Sequence, residues 1–414
     1  MAKLISIFLT MATMIASTGG GVCYDKETQQ TQQIKVGEIE FFGVGSSERQ
    51  KAESSRQKAV SRTRKEKSAA RYGSEELEQL RRALPVKEGD PLGVETVAAT
   101  RDPIKVAVAR TIGGDPTDVS LVCCDDHGDL IIFIGLPGPA YRPFRYNPTP
   151  GPKIRLHPPA NAGGTDKRPR PPATAGGTDK RTDPPANAGR TDKTLPPEIV
   201  ALTEQADEMT VEAVRIEPRE DRSQGYALSL YPPMRAMQMR IREYALGHGA
   251  WLRRVLSMST DAKQRRAAAH ALGYASQSRS QIVALAKAAR DSDVGVRNNA
   301  MRALGVLAQS SATLAARIPA ASFVSMLSSG LWLDRNKAAF LLSVLTATRD
   351  PLLLPVLRKR ALEPLIEMAR WRDTSHARNA RVILGRVAGI DEMRLQKLAS
   401  EGPVEEIVKA VRGN

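Results

Sequence analysis

DSDVGVRNNAMRALGVLA, residues 291–308, has a register that recurs along the C-terminal half of the chain. Taking Arg297 as its anchor, Ala300 stands three residues on, Leu304 seven, Gly305 eight and Leu307 ten. The same columns reappear behind Arg265 as Ala268, Leu272, Gly273 and Ala275. Behind Arg335 they are Ala338, Leu342, Ser343 and Leu345, and behind Ala377 they are Ala380, Leu384, Gly385 and Val387. Columns three, seven and ten share one stripe of an α-helix, which turns once per 3.6 residues. Glycine inside a helix costs about 1 kcal/mol against alanine, so a recurrent small residue in column eight predicts close approach by another helix. The anchors stand 32, 38 and 42 residues apart, the length of an antiparallel helix pair. Stacked pairs of this kind form a solenoid, a surface that holds partners rather than one that transforms substrates.

The intervening segments read as partner helices. IVALAKAA, residues 282–289, ends at the turn Asp291-Ser292-Asp293, and Pro319, Pro364 and Pro403 each precede an apolar-periodic run. Proline suits a first helical turn, where its missing N–H is not needed. The segment 197–258 is helical in parts, with a break at 217–224, and fits a capping pair. Trp251, Trp332 and Trp371 read as packing residues. Over about Asp261 to Ala388 the chain resembles HEAT repeats, whose second helix often opens with Asp, a β-branched residue and Arg. The resemblance implies an all-α solenoid over 198–414 of about four to five helix pairs. It also implies an internal Asp/Arg ladder, from which the last unit departs because Ala377 occupies the arginine column.

Arg297-Asn298, Arg335-Asn336 and Arg378-Asn379 open successive second helices. Two readings stand open. The row could grip a partner's carboxylates or backbone through the planar fork of arginine, making these six residues candidates for protein binding. Alternatively, each arginine pairs inside the fold with Asp293, Asp334 or Asp373.

Residues 33–145 follow a different pattern. IKVGEIEFFG (34–43) alternates like a strand, EELEQLRRAL (75–84) has helical spacing, and 94–112 is helical with an interruption at Asp102-Pro103. DVSLVCCDDHGDLIIFIGLPG (118–138) reads as two strands around a turn at 125–128. This β-α-α-β-β order, with Gly43 after the first strand and the Gly89-Asp90 loop, resembles a POTRA domain of bacterial envelope proteins. The resemblance implies a small α+β module that binds protein partners by adding a strand to its sheet edge. A basic insert, residues 46–73, departs from that pattern and reads either as a tether to an anionic membrane surface or as a solvated loop. No barrel-like run of alternating strands follows.

Between the modules, residues 146–197 carry a 13-residue repeat beginning at Pro158, Pro171 and Pro184. Proline, glycine and small polar residues bury too little apolar surface to order, so a disordered spacer is expected. At the N-terminus, Lys3, the apolar run Leu4 to Ala16 and the small residues after it have the order of an export signal over residues 1–23. The apolar run falls short of the roughly 20 residues that span a bilayer. Cys23 is a candidate lipidation site. Export to the bacterial periplasm or cell envelope follows as the expectation.

The 414 residues carry a formal charge of +16 with 4% aromatics. That balance favours anionic partners, but aromatic residues are not interleaved with the basic ones, so a base-stacking nucleic-acid platform is not expected. Three cysteines make no disulfide framework, and Cys123 and Cys124 would point to opposite faces of a strand. Asp125, Asp126, His127 and Asp129 match no calcium loop and read as a turn. His157, His248, His270 and His376 lack zinc-helix pairing, and Ser55 with Lys58 is an isolated SxxK. No catalytic motif, metal site or cofactor is expected. The function these readings predict is a non-enzymatic scaffold that binds protein partners at the solenoid surface and the sheet edge. The alternatives are a HEAT-like enzyme of the bilin-attaching kind and an electrostatic binder of nucleic acid or anionic envelope polymer.

Overall fold

The computed structural model describes residues 34–45, 72–92, 96, 99–125, 127–150 and 193–413. The expected export signal with Cys23, the basic insert as far as residue 71, Asp126, and the repeats within 151–192 lie outside these residues. The described chain is mostly helical, with a small mixed sheet near its N-terminus.

The sheet contains β1 (Ile34–Phe42), β2 (Pro91–Leu92), β3 (Asp118–Cys123) and β4 (Leu130–Gly135), in the order β2-β1-β4-β3. β1 runs parallel to β4, and β3 runs antiparallel to it. Two helices, α1 (Ser74–Ala83) and α2 (Arg101–Ile112), cover one face of the sheet. Pro103 lies in the first turn of α2 and does not interrupt it, because the helix begins only at Arg101. Gly43 ends β1 at φ +91, where a Cβ would lie 2.1 Å from the Leu136 carbonyl oxygen, so only glycine fits.

The helical region contains α3 (Pro197–Ile216), a hairpin of β5 (Glu220–Asp221) and β6 (Leu228–Ser229), then α4 (Pro232–Met258), α5 (Ala262–Leu272), α6 (Arg279–Ala288) and α7 (Val294–Ser310). It continues with α8 (Ala312–Ala315), short 3-10 turns at Ala320–Ser322 and Val324–Ser328, α9 (Trp332–Leu345), a 3-10 turn at Thr346–Thr348, α10 (Leu353–Ala369), α11 (Thr374–Val387), α12 (Glu392–Ser400) and α13 (Val404–Gly413). The four helices that share the register, α5, α7, α9 and α11, pack side by side in chain order. Every residue in columns three and seven is 0% exposed, which is why that stripe forms the common core. Asp261, Asp293 and Asp373 cap α5, α7 and α11 by accepting a backbone N–H of the first turn.

Two of the proline start signals behave differently. Pro319 precedes 3-10 turns, not an α-helix, and Pro364 lies buried inside α10, which had already begun at Leu353. Tertiary packing of α10 against α11 outweighs the single backbone hydrogen bond that the ring forfeits.

Column eight is a point of close approach. A Cβ on Gly305 would lie 2.3 Å from Cε1 of Phe340 on α9, and one on Gly385 would lie 2.1 Å from Leu395 on α12. Gly305→Ala gains about 1 kcal/mol of helix propensity and incurs about 1–3 kcal/mol of overpacking. A net loss of about 1 kcal/mol is expected in the urea midpoint. Gly114→Ala, with nothing near its Cβ, should lose nothing.

The spacer does not hold the two modules apart. β4 is buried at all six positions. Leu130, Ile132 and Ile134 face α1 and α2, while Ile131 and Phe133 join the core of the helical region. Phe133 stacks on Trp332 with ring centroids 5.0 Å apart and meets Trp371 at 4.9 Å. Residues 139–150, part of which lies in the expected spacer, form an extended strap over the turns that precede α7 and α9. Arg142 N donates to Ser328 O at 2.8 Å and Asn147 N to Arg290 O at 2.6 Å. The strap is ordered because backbone and ring partners are supplied along its length, which composition alone does not reveal.

Candidate functional site

The six candidate residues divide between two environments. Arg297 and Arg335 are 0% exposed and belong to an internal ladder, which corrects their assignment to partner binding. Arg265 donates to both carboxylate oxygens of Asp291 at 2.8 Å. Arg297 reaches Asp334 in the same way at 2.8 and 3.1 Å, and Arg335 donates to Glu367 at 2.7 Å. Each arginine also binds carbonyls of the turn before its own helix, such as Asp291 O for Arg297 and Ser329 O for Arg335. The acid comes from the next unit, so the rungs join neighbouring units. In the last unit Ala377 offers no rung, and Arg381, one helical turn on, donates to Ala369 O instead.

The ladder grips backbone of the same chain. Arg335 donates to Ala140 O at 2.9 Å, and the Arg297 guanidinium lies 4.0 Å from the Tyr146 ring centroid. The Tyr146 hydroxyl donates to Asp334 at 2.9 Å; burial and the neighbouring Asp334 carboxylate push its pKa up to about 12. Arg378 is exposed and donates to Gln396, while the Asn379 oxygen accepts from Ser343. Neither is part of the lining of the cleft that the other candidates face.

Asn298 and Asn336, by contrast, line a cleft of about 400 Å³ between α3, the β5–β6 hairpin, α5, α7, α9, α11 and β3. That volume falls in the range of small-ligand sites. Asn298 and Asn336 sit one step past their anchors. Asn299 and Lys337 sit two steps past, and His270 and Arg302 five. Tyr274 sits nine past Arg265. At roughly 100° per residue these columns lie about half a turn from the core stripe, so the register that buries one face aims these residues into the cleft.

One end of the cleft is basic. Glu220 accepts from Arg222 at 2.8 and 3.0 Å and is in contact with Arg302. Lys337 stands beside this group with no carboxylate within ion-pairing distance among the described residues. Burial and the charges of Arg302 and Arg222 lower its pKa to about 8. Elsewhere on the lining His270 Nδ1 lies 3.0 Å from Asp207, within ion-pair range but off the line a hydrogen bond needs. Asn298 Oδ1 and Trp332 Nε1, both on the lining, are buried without a hydrogen-bond partner.

Val122 and Cys123 of β3 form part of the rim. The Cys123 and Cys124 sulfur atoms lie together rather than on opposite faces of a strand, because β3 ends at Cys123. β3 is an edge strand, and no element among the described residues pairs with its outer side. On the other side of the sheet β1 is covered: the two-residue β2 pairs with its start, and beyond it Ile39 N donates to Glu88 while Ile39 O accepts from Arg81 and Arg372. Asp125 accepts from the backbone of His127 and Asp129, which is the work of a turn residue.

The anchors drew attention to the arginines because they stand out in sequence, yet a cleft is read from the columns beside them. Lys337, Arg302 and His270 were open to that reading, since columns two and five put them opposite the buried stripe. Nothing local connects Glu220 or Arg222 with them. No protein-family model and no curated protein matches the chain.

Proposed function

We propose that the chain is a non-enzymatic binding protein of the bacterial cell envelope, which takes an extended segment of a protein partner onto the free edge of β3. In this reading the helical region is a HEAT-type solenoid and the sheet module is POTRA-type. The carrying observation is that the sheet offers one edge long enough to pair, the six residues of β3, against the two of β2. β1 is sealed by β2, Glu88, Arg81 and Arg372, while the outer side of β3 is unpaired among the described residues. An unpaired strand is a template for another.

Rigidity supports the same reading. The sheet module is packed against the helices through Phe133, the Glu367 bonds and the strap, so β3 and the cleft beside it form one surface. One partner can meet both, where a loose tether would have served two. A six-residue edge offers only its outward half to a partner, at about 1 kcal/mol net per hydrogen bond. Ordering an extended segment costs about 2–5 kcal/mol, so side-chain pockets must add to the backbone pairing.

The test places a photo-crosslinking benzoylphenylalanine at Leu121 on β3 and, as control, at exposed Val106 on α2. Irradiation of intact envelopes should join a discrete partner peptide to position 121 and none to position 106. Equal labelling at both sites, or none at 121, would rule out strand addition.

A further inference from the structure

Resting on the strand-addition reading, we propose that the cleft beside β3 is an anion pocket that takes a carboxylate side chain of the incoming segment. Lys337 is its principal ligand, flanked by Arg302 and Arg222. Three cations and a single carboxylate, Glu220, gather in this part of the cleft, and Glu220 is in contact with the two arginines alone. Both arginines are engaged with it, which leaves Lys337 as the cation of the three with no carboxylate partner among the described residues. Glu220 also fixes the two guanidinium groups, so an entering anion meets charges already held in place. Burial works in the same direction, because a carboxylate excluded from bulk water interacts with a fixed cation far more strongly than at the surface. The lowered pKa of Lys337 is what an uncompensated cation in such a place should have.

A carboxylate is favoured over a larger anion by position and size. The rim includes Val122 and Cys123, so a segment paired with β3 has its side chains beside the opening. At about 400 Å³ the cleft has room for one acidic side chain with its neighbours. Asp207 beside His270 adds a second negative charge to the lining, which disfavours a polyanion filling the whole cleft.

The experiment uses the full-length protein and glutarate as the probe, with inorganic phosphate and with sodium chloride at matched ionic strength as comparisons. Lysines are lightly acetylated at pH 7.5, and each site is quantified by mass spectrometry. Glutarate should slow acetylation of Lys337 at least fivefold while leaving Lys263 and Lys105, which lie on the surface, unchanged. It should also raise the melting temperature of the native protein but not that of Lys337→Met, which keeps the apolar stem. Protection by phosphate and not by glutarate overturns the carboxylate assignment. Protection by chloride alone, or none at all, overturns the pocket. None of these outcomes bears on crosslinking at position 121, so strand addition stands or falls separately.

Discussion

Glu367→Ala is expected to destabilise the protein by about 3–5 kcal/mol, because it leaves a buried arginine uncompensated. Glu367 Oε1 accepts from Arg335 at 2.7 Å and from Gly43 N at 2.8 Å, while Oε2 accepts from Gly45 N at 2.7 Å. One carboxylate therefore closes a rung of the ladder and ties down the end of β1. Without it, Arg335 keeps only Ser329 O and Ala140 O, and burial already presses its pKa down. Two glycine N–H groups lose their acceptor as well. Glu367→Gln retains one acceptor oxygen and should lose less. The paired change Arg335→Met with Glu367→Leu should cost less than Glu367→Ala alone, since no charge is left behind. Urea denaturation followed by circular dichroism measures all three. A single-mutant loss below about 1 kcal/mol would mean that the rung carries no stability.

Phe133→Ala should have a comparable effect, about 3–5 kcal/mol, by emptying the contact between sheet and helices. Its ring lies among Trp332, Trp371 and His376, and both indoles are nearly enclosed. Tryptophan emission should move to longer wavelength as water enters, and the single melting transition should split as the sheet module comes loose. Ile132→Ala, on the same strand but facing α1 and α2, separates the causes. It should weaken the sheet module without shifting the emission. Identical spectra for the two variants would show that Phe133 does not join the modules.

The helices were legible in the sequence because their signal is periodic and local. Columns three and seven predict a shared stripe, and all eight residues in them are fully enclosed. Column eight predicts close approach, and Gly305 and Gly385 lie against Phe340 and Leu395. Strands β1, β3 and β4 and helices α1 and α2 were legible for the same reason, but the two-residue β2 between the helices, just after the Gly89-Asp90 loop, was not. What was hidden depends on pairs far apart in the chain. LIIFIG in β4 has no polar position, and a strand apolar on both faces must be covered on both. That clue pointed to a second cover, but not to Trp332 and Trp371 as its identity. The strap was hidden because PAYRPFRYNPTP (139–150) has no helix or strand period and its prolines resemble a linker until Ser328 and Arg290 offer their carbonyls. In the cleft, Asn298 and Asn336 were singled out for the arginines beside them. The columns that carry Lys337 and Arg302 stand out only when the helix is turned half round from its buried stripe.

The face of the sheet that carries Phe42, Ile131 and Phe133 has a consequence for biogenesis. The ribosome makes the N-terminus first, at roughly 5–20 residues per second, so Trp371 emerges on the order of tens of seconds after Phe133. For that interval half of a finished core has nothing to rest on, beside an open strand edge. Such an intermediate is sticky in the manner of an amyloid seed, and a nascent chain stalled before α10 would be a substrate for chaperones or proteases rather than a working half.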